Sequence, residues 1–454
     1  MVLKILFVKT LNAIQLLPTL CNNEINSEGL TLKIGDVIRF KRIEQGISQE
    51  DLASGICTNS YLSRIENNHV TPDEEIYRLL LAKLGADYDE IIYNSNEIEN
   101  DLDDWYSHLT KKTPLKKELS YYLNLENKVN HGQIIKYKII YSRYLLTIRE
   151  YEKSKEILDD VYNLLPSLNS YEKFIFINTY VVCFLFLDKN QEAIEIFEEY
   201  TEQHNMNFGT KEEHGNLYYN IALCFKRVRS YRQCITYAKL AFTEYSEVFH
   251  LTHMIKALVL LGISYNNIYE WEQAIKYYRQ ALSILNQLNT SSDQDKLMIY
   301  NDLGYCSECQ DHYLDAINYY QSALEIDNEN LHVLINLART HYKIGNYKEA
   351  KYFINKADHI IQSQSAHELY AIQNNLLNCL LFAEYKDIED IFTLLNSNFS
   401  YLLKTHAYEL IIFFAKEFGE IFENHKFYKK SNELYKYSFE AYKNLLKGGE
   451  KNNG

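Results

Sequence analysis

At 454 residues the chain has room for several ordinary domains, or for one small domain followed by an extended array. Its 46% hydrophobic and 24% charged residues are those of a soluble globular protein, which excludes disorder over most of the length. The formal net charge of −14 argues against a polyanion held by bulk charge, so any such partner must be met by a local site.

Tyrosine is abundant at 40 residues, glycine (15) and proline (4) are scarce, and no proline follows Pro166. Strand-rich or loop-rich folds need those turn residues, so the expected fold is all-α. Eight cysteines lie scattered, too far apart for a disulfide framework, and fit a reducing cytoplasm. The opening "MVLKILFVKTLNAIQLLPTL" is apolar, but Lys9, Asn12 and Gln15 interrupt it and no small-residue cleavage site follows. Neither a membrane span nor an exported leader is expected. Residues 1–30 are read as an extension: a helix packed on the rest, or the product of a start placed too far upstream.

Residues 31–92 form the first domain. "IGDVIRFKRIEQG" puts Ile34, Val37, Ile38 and Ile43 on helical spacing and ends at Gly46, suited to a left-handed cap. Ser48 caps a second helix, with Asp51 three residues on, and Gly55 breaks it. A third helix starts at Thr58 or Asn59 and carries Leu62 and Ile65 inward. In "TPDEE", Thr71 is expected as N-cap, Pro72 at the first helical position and Glu74 completing a capping box, with the fourth helix running to Gly85. Short capped helices around a tight glycine turn are the helix-turn-helix pattern.

The stretch "ISQEDLASGICTNSYLSRIENN" with the following "TPDEEIYRLLLAKLG" resembles the Cro/repressor (XRE) helix-turn-helix class, and in particular the RNPP group of bacterial peptide-responsive regulators. The resemblance implies that Gln49 contacts a phosphate or outer base. Thr58, Asn59, Ser60 and Arg64 face base edges or flanking phosphates, and Asn67 donates to the DNA backbone. Tyr61 touches a thymine methyl or packs. Arg42 and Glu66 stand where this class forms a structural ion pair. The chemistry agrees: asparagine pairs bidentately with adenine, arginine with guanine. Residues 31–70 hold five basic and five acidic residues, so one head neutralises few phosphates and a homodimer is expected.

Residues 93–129 are read as an acidic linker, "NEIENDLDDW" forming a solvated helix or a hinge. From residue 130 to 447 a pattern recurs every 34 to 43 residues: Trp271, Ala274, Tyr278, Ala281; Tyr313, Ala316, Tyr320, Ala323; Tyr347, Ala350, Ile354, Ala357; and, more loosely, Tyr231, Cys234, Ala238, Ala241. Small residues stand twelve before each middle alanine or cysteine, at Ala222, Gly262, Gly304 and Ala338. Weaker copies centre on Tyr151/Ser154, Ala193, Tyr385/Ile388 and Tyr428/Ser431. This is the tetratricopeptide spacing, about eight helical hairpins in a right-handed superhelix. It accounts for many tyrosines as packing residues without invoking an aromatic binding surface.

The first helix of each hairpin lines the concave face, which places Asn178, Asn220, Lys226, Arg227, Asn266, Asn301, Tyr305, Asn336 and Arg339 there. An asparagine amide satisfies both the N–H and the C=O of an extended chain, so such a ladder suits a peptide, with Lys226, Arg227 or Arg339 for a carboxylate. Composition alone also makes asparagine recur in this Asn-, Ile-, Lys- and Tyr-rich chain. "CSEC" at Cys306 to Cys309 has metal spacing but no second pair and sits inside a repeat helix. No phosphate loop, His-Glu-x-x-His pair or nucleophile elbow is present in the sequence, and neither metal, cofactor nor enzyme activity is expected. The expected function is a cytoplasmic, dimeric, peptide-controlled regulator of operator DNA, of quorum-sensing type. The alternative is an array that docks a signalling protein such as a response regulator, with DNA binding secondary.

Overall fold

The computed structural model describes residues 34–129, 133–203, 208–288, 293–363, 368–382 and 387–450, and all regular structure among them is helical. Residues 1–30 and Tyr385, singled out above, lie outside the described residues. The chain divides into two compact units between Phe176 and Ile177.

The first unit begins with α1 (Ile34–Glu44), α2 (Gln49–Ala53), α3 (Asn59–Glu66) and α4 (Glu74–Lys83). They enclose a core of Ile38, Leu52, Leu62, Ile65, Leu80 and Leu81. The Ser48 and Thr58 hydroxyls cap α2 and α3 by accepting the N–H of Asp51 and of Tyr61. Two expectations are corrected. The α4 cap is Asp73 in extended geometry, without a side-chain cap bond, two residues later than expected. Ile43 is on the exposed side of α1, 59% accessible, near Phe40.

Helix α5 (Tyr88–Lys111) spans 24 residues, about 36 Å at the helical rise. Its first turns pack Tyr88, Ile91 and Ile92 on the head core. Near its end Trp105 meets Tyr122, Tyr137 and Tyr144. The acidic run lies wholly within this helix and is neither a hinge nor simply solvated. Lys117 bonds Glu97 and Asp101 at 3.1 and 2.8 Å, Lys116 bonds Asp104 at 2.7 Å, and the buried Lys136 bonds Glu99 and Asp103. After α6 (Leu119–Leu123) and a 3-10 turn come α7 (Ile134–Thr147) and α8 (Tyr151–Tyr162), an antiparallel hairpin; α9 (Ser170–Phe186) then crosses into the second unit.

The second unit continues with α10 (Asn190–Gln203), α11 (Lys211–Arg227), α12 (Tyr231–Glu247), α13 (Leu251–Asn267), α14 (Trp271–Gln287) and α15 (Asp293–Cys309). It ends with α16 (Tyr313–Ile326), α17 (Leu331–Lys343), α18 (Tyr347–Ser363), α19 (Glu368–Leu381), α20 (Ile388–Lys404), α21 (Tyr408–Asn424) and α22 (Tyr428–Glu450). The small residues do what their spacing requires. A Cβ on Gly262 or Gly304 would lie 2.5 Å from the ring of Tyr278 or Tyr320, so the tyrosine of one helix rests directly on the backbone of its partner. The hairpin turns share one closure: Ser230, Glu270, His312, Asn346 and Ala407 donate their N–H five residues back, after a left-handed residue.

Candidate DNA-binding helix and ligand groove

In the head, α3 is anchored by Leu62 and Ile65, both fully buried, which turns the other side outward. Thr58, Asn59, Ser60, Arg64 and Asn67 are exposed there. Arg42 forks onto Glu66, Nε at 2.6 Å and Nη2 at 2.9 Å, and donates to the Ile47 carbonyl at 2.9 Å. Glu66 also accepts the Gln49 amide at 2.7 Å, so Gln49 is tied to the ion pair. Asn67 donates to the Ser63 carbonyl and accepts from Arg39. Tyr61 is half-buried and packs against the core.

In the second unit a cavity of about 1100 Å³ opens between α15, α17 and α21. The Tyr305 phenol donates to Glu409 Oε2 at 2.8 Å across 104 residues, and the Tyr342 phenol to Glu417 Oε2 at 3.2 Å across 75. The C-terminal hairpin is thus bonded across the groove to the middle of the array. Tyr231, Tyr269, Trp271 and Phe413 also line the groove, so beside the packing tyrosines some aromatics face a cavity.

One wall carries a buried charge cluster. Glu308, 2% exposed, accepts Arg339 Nε and Nη2 at 2.7 and 2.8 Å, Lys343 Nζ at 3.0 Å, Tyr320 Oη at 3.1 Å and Thr340 Oγ1 at 3.2 Å. Burial pushes the Glu308 carboxyl up, but Arg339 and Lys343 outweigh it and hold it at about 2.

Of the concave residues expected from the sequence, Tyr305, Asn336 and Arg339 line the cavity. The others serve helix-to-helix bonds or stand elsewhere on the face. Asn336 donates to Asn301 at 3.0 Å, both buried. Asn178 donates to the Glu213 carbonyl at 3.3 Å, and Asn266 accepts the Cys306 thiol at 3.5 Å. Arg227 bonds the Leu185 carbonyl and Asp188. Asn220 and Lys226 are half-buried on α11. Cys306 is buried and burial lifts the Cys309 thiol to about 11. Among the described residues no group of three or more His, Cys, Asp or Glu could hold a metal, and no helix is long and apolar enough to cross a membrane.

Sequence reasoning missed Glu308, Glu409 and Glu417. Glu308 had a signal: with Gly304 and Ala338 equivalent, it aligns with Tyr342 of the next repeat, so Arg339 and Lys343 flank it. Glu409 had none, since its partner lies three hairpins away.

The helix-turn-helix family matches residues 38–91, and tetratricopeptide repeat families match 253–329 and 310–371. The chain is similar to the transcriptional activator NprA of Geobacillus stearothermophilus, 25% identical over 409 residues that cover 87% of this chain and 100% of that protein. It is also similar to response regulator aspartate phosphatase I of Bacillus subtilis (strain 168), 22% identical over 386 residues, 80% of this chain and 94% of that protein. Among solved structures, the apo form of the quorum sensor NprR from B. thuringiensis shares the fold with a TM-score of 0.58 at 19% identity, covering 76% of this chain and 99% of that one. With a helix-turn-helix match at its head and tetratricopeptide matches after it, and with these relatives aligned over most of its length, this chain is similar to the RNPP-type regulators that its sequence resembles.

Proposed function

We propose that the chain is a sequence-specific transcription regulator, acting as a homodimer, whose array binds a short signalling peptide on its concave face, as in bacterial quorum sensing. The observation that carries this reading is that one chain holds both an outward polar α3 and a cavity of about 1100 Å³ among its repeats. The relatives support it, one named a transcriptional activator and another a quorum sensor. In this reading Thr58, Asn59, Ser60 and Arg64 meet the major groove, Asn67 and a released Gln49 meet phosphates, and Tyr61 packs beneath them. Tyr305, Asn336 and Arg339 meet the peptide first. Asn178, Arg227, Asn266 and Asn301 exchange present partners for it, and Asn220 and Lys226 extend the contact along α11. Peptide favours one curvature of the array, and operator affinity follows the population. Selection of duplexes by the purified protein from a randomised pool tests the reading. A two-fold site with two half-sites is expected, and its affinity should change when the signalling peptide is added. Enrichment of no duplex would end it.

A second reading is favoured by a specific observation: within the head Arg42, Arg78 and Lys83 are engaged by acids or carbonyls, leaving few cations for DNA. The array then docks a signalling protein such as a response regulator, a partner class contained in the name of one relative. Footprinting with and without a purified response regulator separates the two readings.

A further inference from the structure

Glu409 stands in the first turn of α21, exposed to the groove. It accepts the Tyr305 hydroxyl and takes part in no ion pair among the described residues. In this it differs from Glu308, which has two cations of its own. Tyr305 of α15 bonds it, and Tyr231 at the start of α12 and Tyr269 in the turn before α14 line the same cavity. Burial raises Tyr269 to about 12, with the Glu409 carboxylate the next cause. Tyr231 is raised too, by burial first, with Glu409 adding and the rim residue Arg229 opposing. Trp271 meets Tyr269 edge-on, ring centroids 6.0 Å apart. Of the three arginines that line the groove, Arg339 is held by Glu308, while Arg229 and Arg232 form no ion pair with Glu409.

A carboxylate flanked by aromatic rings is the chemistry that receives an ammonium or guanidinium: the anion supplies a charge-assisted hydrogen bond and the ring faces attract the cation. The same wall disfavours an acidic group, because Glu409 and Glu417 both face the cavity. We propose that Glu409, with Tyr231, Tyr269 and Trp271, is a subsite for a positively charged group of the peptide ligand, a basic side chain or a free amino terminus. The proposal rests on the peptide reading above and goes beyond it in fixing the ligand's charge.

The test uses the full chain and pools of synthetic heptapeptides. Three pools are N-acetylated with the central position fixed as lysine, glutamate or leucine; a fourth has central leucine and a free amino terminus. Calorimetric titration is expected to give at least tenfold tighter binding for the lysine or the free-amine pool than for the acetylated leucine pool. Which of the two leads tells side chain from terminus. The preference should vanish in Glu409→Gln, whose amide oxygen still accepts from Tyr305. Equal binding of all pools, a lead for the glutamate pool, or a preference retained in Glu409→Gln would overturn the subsite while leaving the peptide reading standing. Binding of no pool to the wild-type chain would overturn both.

Discussion

The response of DNA binding to salt follows from how the head uses its cations. Among residues 34 to 92 there are six lysines and arginines. Arg42 is forked onto Glu66, Arg78 onto Glu74 and Asp89, and Lys83 onto the carbonyls of Asp51, Leu52 and Ser54. Arg39, Lys41 and Arg64 remain, so the dimer proposed above would present about six cations to phosphates. Each neutralised phosphate contributes about −0.9 to the slope of log K against log salt, which gives a slope near −5 and about a thousandfold loss of affinity between roughly 50 and 200 mM. Arg64→Ala removes two contacts per dimer and should bring the slope to about −3.6. Fluorescence anisotropy of a labelled operator at a series of KCl concentrations measures both. A slope steeper than about −8 would mean that cations outside these three engage DNA. A slope and an affinity both indifferent to Arg64→Ala would place Arg64 away from phosphates and base edges alike and refute the orientation of α3.

Three further outcomes are expected. Gly304→Ala sets a Cβ 2.5 Å from the Tyr320 ring and should cost about 1–3 kcal/mol in chemical denaturation, because neither helix can move apart without opening the hairpin. Glu308→Gln leaves Arg339 and Lys343 without their acid and should cost about 3–5 kcal/mol. The Glu308 carboxyl is held below its ordinary 4.5, at about 2, so its stabilisation is complete above about 4.5 and is lost as pH falls toward 2. Denaturation midpoints across that window should fall in the wild type and stay flatter in Glu308→Gln. Lys136→Met strands Glu99 and Asp103 against α7 and should destabilise the first unit by about 3 kcal/mol, read by the same method; an unchanged midpoint would show that α5 is held by Trp105 packing alone.

What could be read without coordinates was local. The Ser48 cap, the start of α3 at Thr58 or Asn59 and the small Gly304 depend on neighbours in the chain or on one adjacent helix, whereas the Arg42–Glu66 pair was implied by the family resemblance. A repeat contacts only the next repeat, so its spacing survives in sequence. The acidic run around Asp101 was misread for the complementary reason: its lysine partners come from residues 116, 117 and 136, and charge along one stretch does not reveal what lies across from it.

By itself, then, the sequence determined a helical head, an array of hairpins and the small residues on which they close. Tertiary structure alone decided which polar groups stay free. The asparagine ladder was visible, but only packing showed that Asn301 and Asn336 bond each other, whereas Tyr305 and Glu409 meet across 104 residues. The physical reason is that a superhelix accumulates a small rotation at every repeat. The residues brought together by several such rotations share no short-range pattern.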